Sequence, residues 1–335
     1  MGFDLSIMWF GIIIFATLMY ILMDGFDLGI GIIMPFIKNK KSRDTMVNSV
    51  APFWDGNETW LVMGGAGLFG AFPLAYTIIL DALAIPLSIM LIALIFRGVA
   101  FEFRFKSLPS HIVFWDRAFM VGSIVATLCQ GMVVGAVIDG FQVYERRFSG
   151  DAMDWFTPFS VFCGFGLVVA YALLGNTWLI MKTEGALQQK LFSMAPKVLI
   201  ILLSIIIVIS VWTAFGHESI AKRWFSTPNI YYLMPVPVLT ILLCHFSMIA
   251  LAKEQAVKPF VYAIALVFIG FTGLGISIWP NIVPPSISVW QAAAPVQSQG
   301  FMLVGTLFII PIILMYTFWN YYVFNGKVKE GESYH

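Results

Sequence analysis

The sequence predicts an all-α membrane protein of about nine transmembrane helices, because runs of more than about 18 apolar residues recur along it. Of its 335 residues, 60% are hydrophobic and 11% charged, with a mean hydropathy of +0.89. Soluble domains carry roughly 25% charged residues, so this chain lacks the polar surface to cover a globule in water. The runs are continuously apolar rather than alternating, which argues against a β-barrel. Backbone groups at membrane depth must then be satisfied within helices.

The expected spans are 5–36, ending at Pro35; 47–72 and 74–101, divided by the FPL at Pro73; 113–140; 155–181; 191–215; 229–252; 259–280; and 300–325. Nothing basic precedes the first run, as a cleaved signal peptide would require, so it is read as the first span. The longest loop, 281–299, is rich in Pro and Ser and leaves no room for a soluble domain. The whole chain, 1–335, is therefore one membrane domain. Its expected halves are 1–140 and 153–281, with an extra helix at 300–325. A short echo between GNETWLV (56–62) and GNTWLI (175–180) is a weak sign of such a repeat.

Charge sets the expected orientation. Fifteen of the nineteen basic residues fall in the tail or in loops after odd-numbered spans; only Arg146, Arg147, Lys222 and Arg223 fall on the opposite side. The positive-inside bias places the N-terminus outside and the C-terminus in the cytoplasm. A net charge of +1 gives no pull toward nucleic acid. The three cysteines, Cys129, Cys163 and Cys244, are widely spaced in apolar runs, which suits neither a disulfide framework nor a thiolate metal site.

Carboxylates at membrane depth cost several kcal/mol and need a partner, water or a task. In MDGFDLGIG, Asp24 and Asp27 sit at i and i+3 on one face of the first span. Gly25, Gly29 and Gly31 beside them permit close backbone approach. APFWDGNETW carries Asp55, Asn57 and Glu58 between Trp54 and Trp60. Asp81 lies in the third span, which ends in FRGVAFEFR with Arg97, Glu102 and Arg104. An ordinary ion pair or snorkelled end group accounts for Arg104 and, near a helix start, for Asp81. The acids on the first two spans suit a proton or ion path instead. Of the histidines, only His245 falls at membrane depth, too few for a multi-heme site. The seventeen methionines read as filler. Intramembrane acids alone would equally suit an ion-coupled secondary transporter or a purely structural assembly subunit.

The segments LMDGFDLGIGIIMPF, MVNSVAPFWDGNETWLVMGGAGLFGAFPLAY and LIFRGVAFEFR, with GNTWLIMKTEG and PIILMYTFWNYYVFNGKV later, resemble subunit II of the cytochrome bd-type quinol oxidases over almost the full chain. The short loops and the FWNYYVFNGKV segment are closer to the cyanide-insensitive branch. The resemblance implies two four-helix bundles plus one peripheral helix, and a quinol-oxidising, oxygen-reducing complex in the bacterial cytoplasmic membrane. It implies that subunit I holds two b-type hemes and one d-type heme, and that this chain is its heme-free partner, not itself catalytic. It assigns Asp55 and Asp27 to a cytoplasmic proton channel shared between the subunits, with Asn57 and Glu58 in support. It also allows for a structural quinone on this subunit and a small accessory subunit.

Overall fold

The computed structural model describes residues 4–328 and is helical almost throughout. Asp4 caps α1 (Leu5–Ile33), accepting hydrogen bonds from the Ser6 and Ile7 amides. Trp290 donates its indole N–H to Asp4 at 2.7 Å, and this bond is the main reason the Asp4 carboxyl titrates below its usual range. Pro35 ends α1 in a 3-10 turn, Met34–Phe36.

The expected span 47–72 is corrected. A short polar helix, α2 (Lys40–Asn48), comes first, and Pro52 lies in the turn that delays α3 to Trp54–Ala71. At 18 residues α3 is about 27 Å long. Eight helices are long and apolar enough to cross a membrane among the described residues, and α3, with Asp55 and Glu58 in its first turns, is not one of them. It packs between α1 and α4 as a more polar ninth.

Pro73 opens α4 (Pro73–Lys106), where a Pro costs no intrahelical bond. Inside α4, Pro86 and the non-helical Leu83 produce a kink. Next come α5 (Ile112–Asp139), the hairpin strands β1 (Val143–Tyr144) and β2 (Arg147–Phe148), and α6 (Pro158–Lys182). Gly140, at φ +85°, terminates α5, and a Thr157/Ser160 capping box starts α6. The rest is α7 (Gly185–Gly216), α8 (Glu218–Phe225), α9 (Asn229–Leu233), α10 (Pro235–Ala252) and α11 (Lys258–Ile278). The loop expected at 281–299 holds β3 (Asn281–Val283), β4 (Ile287–Ser288) and α12 (Val289–Ala292), before α13 (Val296–Val323).

Around the first part of the chain, α1, α3, α4 and α5 pack in sequence, with α5 returning to α1. In the same way α6, α7, α10 and α11 form a second ring, and α6 joins the rings through α1 and α5. α13 lies against α1 and α3 with most of its side chains facing outward. Apolar side chains such as Ile92, Phe96, Ile207 and Phe308 are exposed on the outer faces, as lipid contact requires.

The seam between α1 and α6 depends on glycine. A Cβ on Gly29 would lie 1.9 Å from the Tyr171 carbonyl oxygen, and one on Gly175 would lie 2.4 Å from the backbone of Gly29. Gly31 likewise admits the Ser123 hydroxyl, so the small residues of MDGFDLGIG are packing requirements.

At the end of the bundle that carries most of the basic loops, Arg104 is buried, donating to Asp116 and Asp44 at 2.6 Å each. Arg43 adds a 3.2 Å contact to Asp116, and Lys40 pairs with Asp44 at 3.6 Å. Of the two expectations for Arg104, an ion pair or a snorkelled end group, it takes the ion pair and fastens α2 to α4 and α5. Its neighbour Glu102 pairs with Lys106 at 2.8 Å near the surface.

Adding one methyl at the α1–α6 seam forces backbone apart. Gly29→Ala should lower stability by about 1–3 kcal/mol, read as a reduced thermal unfolding midpoint of the purified complex. Gly305→Ala, whose added Cβ meets nothing within 4 Å, should leave that midpoint unchanged or slightly raised.

Candidate functional site

The most polar place inside the bundle is built around Arg97. It projects from α4 between α1 and α3 and is fully buried. Its Nη2 donates to Asp24 Oδ1 at 2.5 Å and stands 3.6 Å from Asp27 Oδ2; its Nη1 donates to Glu58 Oε1. Asp24 and Asp27 both reach it because they share one face of α1. Glu58, one turn into α3, stays partly exposed at 30%.

Neutral groups fix the geometry. Asn57 donates to Asp27 Oδ2 at 2.8 Å and to the Met23 carbonyl at 3.2 Å. Tyr321, from α13, donates to Asn57 Oδ1 at 3.1 Å, and Asn320 donates to the Pro52 carbonyl at 2.8 Å. The chain ahead of α3 and its first turn are therefore held by the last helix. Aromatic rings close the site. Phe101 lies under the Arg97 guanidinium at 5.5 Å and stacks on Trp54, while Phe53 stacks on Tyr321. Asp24 Oδ2, Asp27 Oδ1 and Arg97 Nε have no partner among the described residues, so the cluster retains capacity for water or protons.

A second string of polar groups continues deeper. Tyr20 precedes Asp24 by one turn of α1 and accepts from Gln130 Nε2 at 2.7 Å; Tyr171 donates to Gln130 Oε1 at 3.1 Å. All three residues are buried.

The structure thus brings Asp24, Asp27, Asn57, Glu58 and Arg97 together. Asp55 is exposed at the start of α3, outside this contact set, with Trp54 half-buried beside it. Trp60 is fully buried against Phe15 and Tyr20 rather than in the cluster. Glu102 and Arg104 belong to the surface pair and the α2 clamp, and Asp81 is exposed on α4. Sequence reasoning missed Tyr20, Gln130, Tyr171, Tyr321, Asp44 and Asp116. Gln130 was detectable as the one amide in the apolar run VATLCQGMVVG, and Tyr321 as part of FWNYY.

The histidines do not suit a bis-histidine heme. His245 is exposed on α10, His111 precedes α5, and His217 pairs with Asp139 at 3.2 Å at the end where α1 begins. His335 lies outside the described residues. Among the described residues, no group of three or more His, Cys, Asp or Glu is placed to hold a metal ion.

Removing the guanidinium leaves buried carboxylates unpaired. Arg97→Gln should destabilise the fold by about 3–5 kcal/mol, seen as a lower unfolding midpoint and reduced yield of the assembled complex. Asp81→Asn should change the midpoint by no more than about 0.5 kcal/mol equivalent, the usual range for surface substitutions.

The sequence profile of the cytochrome bd terminal oxidase subunit II family matches residues 5–324. Cytochrome bd-I ubiquinol oxidase subunit 2 of Escherichia coli K12 is 26% identical over 364 residues, covering 98% of this chain and 96% of the relative. Cytochrome bd ubiquinol oxidase subunit 2 of Bacillus subtilis 168 is 26% identical over 345 residues, covering 97% of each. In fold, the chain is similar to the bd oxidase structure from Geobacillus thermodenitrificans, with a TM-score of 0.76 at 14% identity, covering 96% of this chain and 99% of that one. The match along nearly the whole length places this chain in the cytochrome bd terminal oxidase subunit II family.

Proposed function

We propose that this chain works as the heme-free large subunit of a bacterial quinol:oxygen oxidoreductase, supporting quinol oxidation and oxygen reduction to water in aerobic respiration. Membership of the subunit II family supports this over the ion-coupled transporter, as does the naming of its relatives as ubiquinol oxidase subunits. On this reading the partner is subunit I, carrying two b-type hemes and one d-type heme. A structural quinone on this chain and a small accessory subunit belong to the same family reading. The basic end faces the cytoplasm, with the N-terminus outside and the C-terminus inside, in the cytoplasmic membrane. The two helix rings and the outlying α13 support an arrangement of two four-helix bundles, with halves near 1–140 and 153–281, plus a peripheral helix.

The observation that carries the mechanism is a charge imbalance. Asp24, Asp27 and Glu58 surround one guanidinium, so the fully ionised cluster has a formal charge of −2 and is neutral only when it holds two protons. A site that must exchange protons to balance its charge, placed near the cytoplasmic end, suits proton delivery. Asp55, exposed at the start of α3, accepts protons from water. Glu58 follows it by three residues, nearly one helical turn, and is partly open. It passes protons toward Asp24 and Asp27, which Asn57 holds in register. Arg97 keeps the acids close enough to exchange while preventing both aspartates from remaining charged and unpaired.

Asp55→Asn in the assembled complex should slow oxygen reduction and proton uptake by about tenfold or more, with heme content unchanged. Unchanged turnover and uptake would remove Asp55 from the path. Loss of heme would instead assign it a structural role. Glu58→Gln should slow both rates further, because it lies on the only carboxylate connection we assign between Asp55 and the buried aspartates.

A further inference from the structure

At the end where α1 begins, a cavity of about 420 Å³ opens between α1, α8, α9 and α11. That volume is in the range of small-molecule sites, about 300–1,000 Å³. Much of its lining is apolar, with Phe10 and Ile14 on α1 and Ile276 on α11. Tyr232 and Trp279 also line it, residue types that favour the boundary between hydrocarbon and headgroups.

The one formal charge at the cavity is Arg223. It lies on α8, a short amphipathic helix whose apolar side is anchored when Trp224 donates to Ser277 Oγ on α11 at 2.9 Å. The neighbouring Lys222 is neutralised by Glu218 at 2.7 Å. Arg223 has no such carboxylate among the described residues, and its Nε is buried without a hydrogen-bond partner. Asn229 donates to the Arg223 backbone carbonyl at 3.1 Å, which fixes the turn from α8 to α9 and leaves the guanidinium free. A cation lining a cavity with no carboxylate partner suits an anionic ligand, and a guanidinium pairs with phosphate oxygens through two parallel N–H bonds.

We infer that this cavity is a phospholipid site, in which Arg223 takes the headgroup phosphodiester and the apolar wall of Phe10, Ile14 and Ile276 takes the upper acyl chain. Arg223 lies on α8 at the end where α1 begins, and Phe10 and Ile14 lie further along α1, the order of headgroup and acyl chain in a leaflet. A neutral apolar ligand would leave the one cation lining the cavity without a counter-ion.

The test uses the whole oxidase complex in mild detergent, titrated with dioleoyl phosphatidylglycerol or with dioleoylglycerol and read by native mass spectrometry. The wild-type complex should hold one phosphatidylglycerol about tenfold or more tightly than Arg223→Gln. Gly275→Leu should also lose it, because a Cβ there meets nothing within 4 Å and the larger side chain fills the cavity. Dioleoylglycerol, lacking the phosphate, should bind both wild type and Arg223→Gln weakly. Equal phosphatidylglycerol affinity in wild type and Arg223→Gln would overturn the assignment, as would dioleoylglycerol binding as tightly as phosphatidylglycerol. Recovery of a quinone or a polypeptide as the native occupant would overturn it as well.

Discussion

A guanidinium sealed inside an apolar bundle is tolerated only where carboxylates meet it, and at Arg97 that requirement sets the relative depth of α1, α3 and α4. Moving a charge out of water costs several kcal/mol per ion, recovered only through close pairing. Sliding α4 by one turn, about 5.4 Å, would separate Arg97 from all its acids. The pairing therefore works as a register pin between helices whose remaining contacts are apolar and permit sliding. The glycine seam adds a second coordinate: with Gly29 and Gly175 in backbone contact, α6 has one seating along α1.

Two ionic clusters in the same protein have opposite charge balance. At the basic end, Arg43 and Arg104 face Asp44 and Asp116, two cations against two anions, with Lys40 at the margin. This cluster is satisfied as it stands and acts as a clamp, holding α2 across α4 and α5. The Arg97 cluster has three acids to one cation and, among the described residues, leaves Asp24 Oδ2 and Asp27 Oδ1 without a hydrogen bond. That imbalance distinguishes it from the evenly paired clamp.

Much of this was legible in the sequence because a membrane makes polar residues conspicuous. The long apolar runs mark most helices, and the acids breaking the first two runs mark three of the carboxylates that meet Arg97. The second span was misread at its start because Thr45, Met46 and Val47 look like the beginning of an apolar run; they are buried, but on the inward side of a polar surface helix. The sequence leaves Arg104 as an ion pair or an end group and does not name its partners, because Asp44 and Asp116 come from other helices and tertiary pairing leaves no trace in local spacing. Glu58 meets Arg97 and Asp55 does not, for a similar reason. Residues three apart on α3 share a face, but only the position of α4 decides which of them meets Arg97. Tyr20, Gln130 and Tyr171 form a line contributed by three helices, which no single segment could reveal.

Asp24 and Arg97 are separated by 73 residues, and Asn57 and Tyr321 by 264. During synthesis, then, the two aspartates of α1 are made before their cation on α4, and Asn57 is made long before the tyrosine that steadies it. The ion pair that seats α1 against α4 can therefore form only after α4 has been made, so a contact late in the chain fixes the depth of an earlier helix.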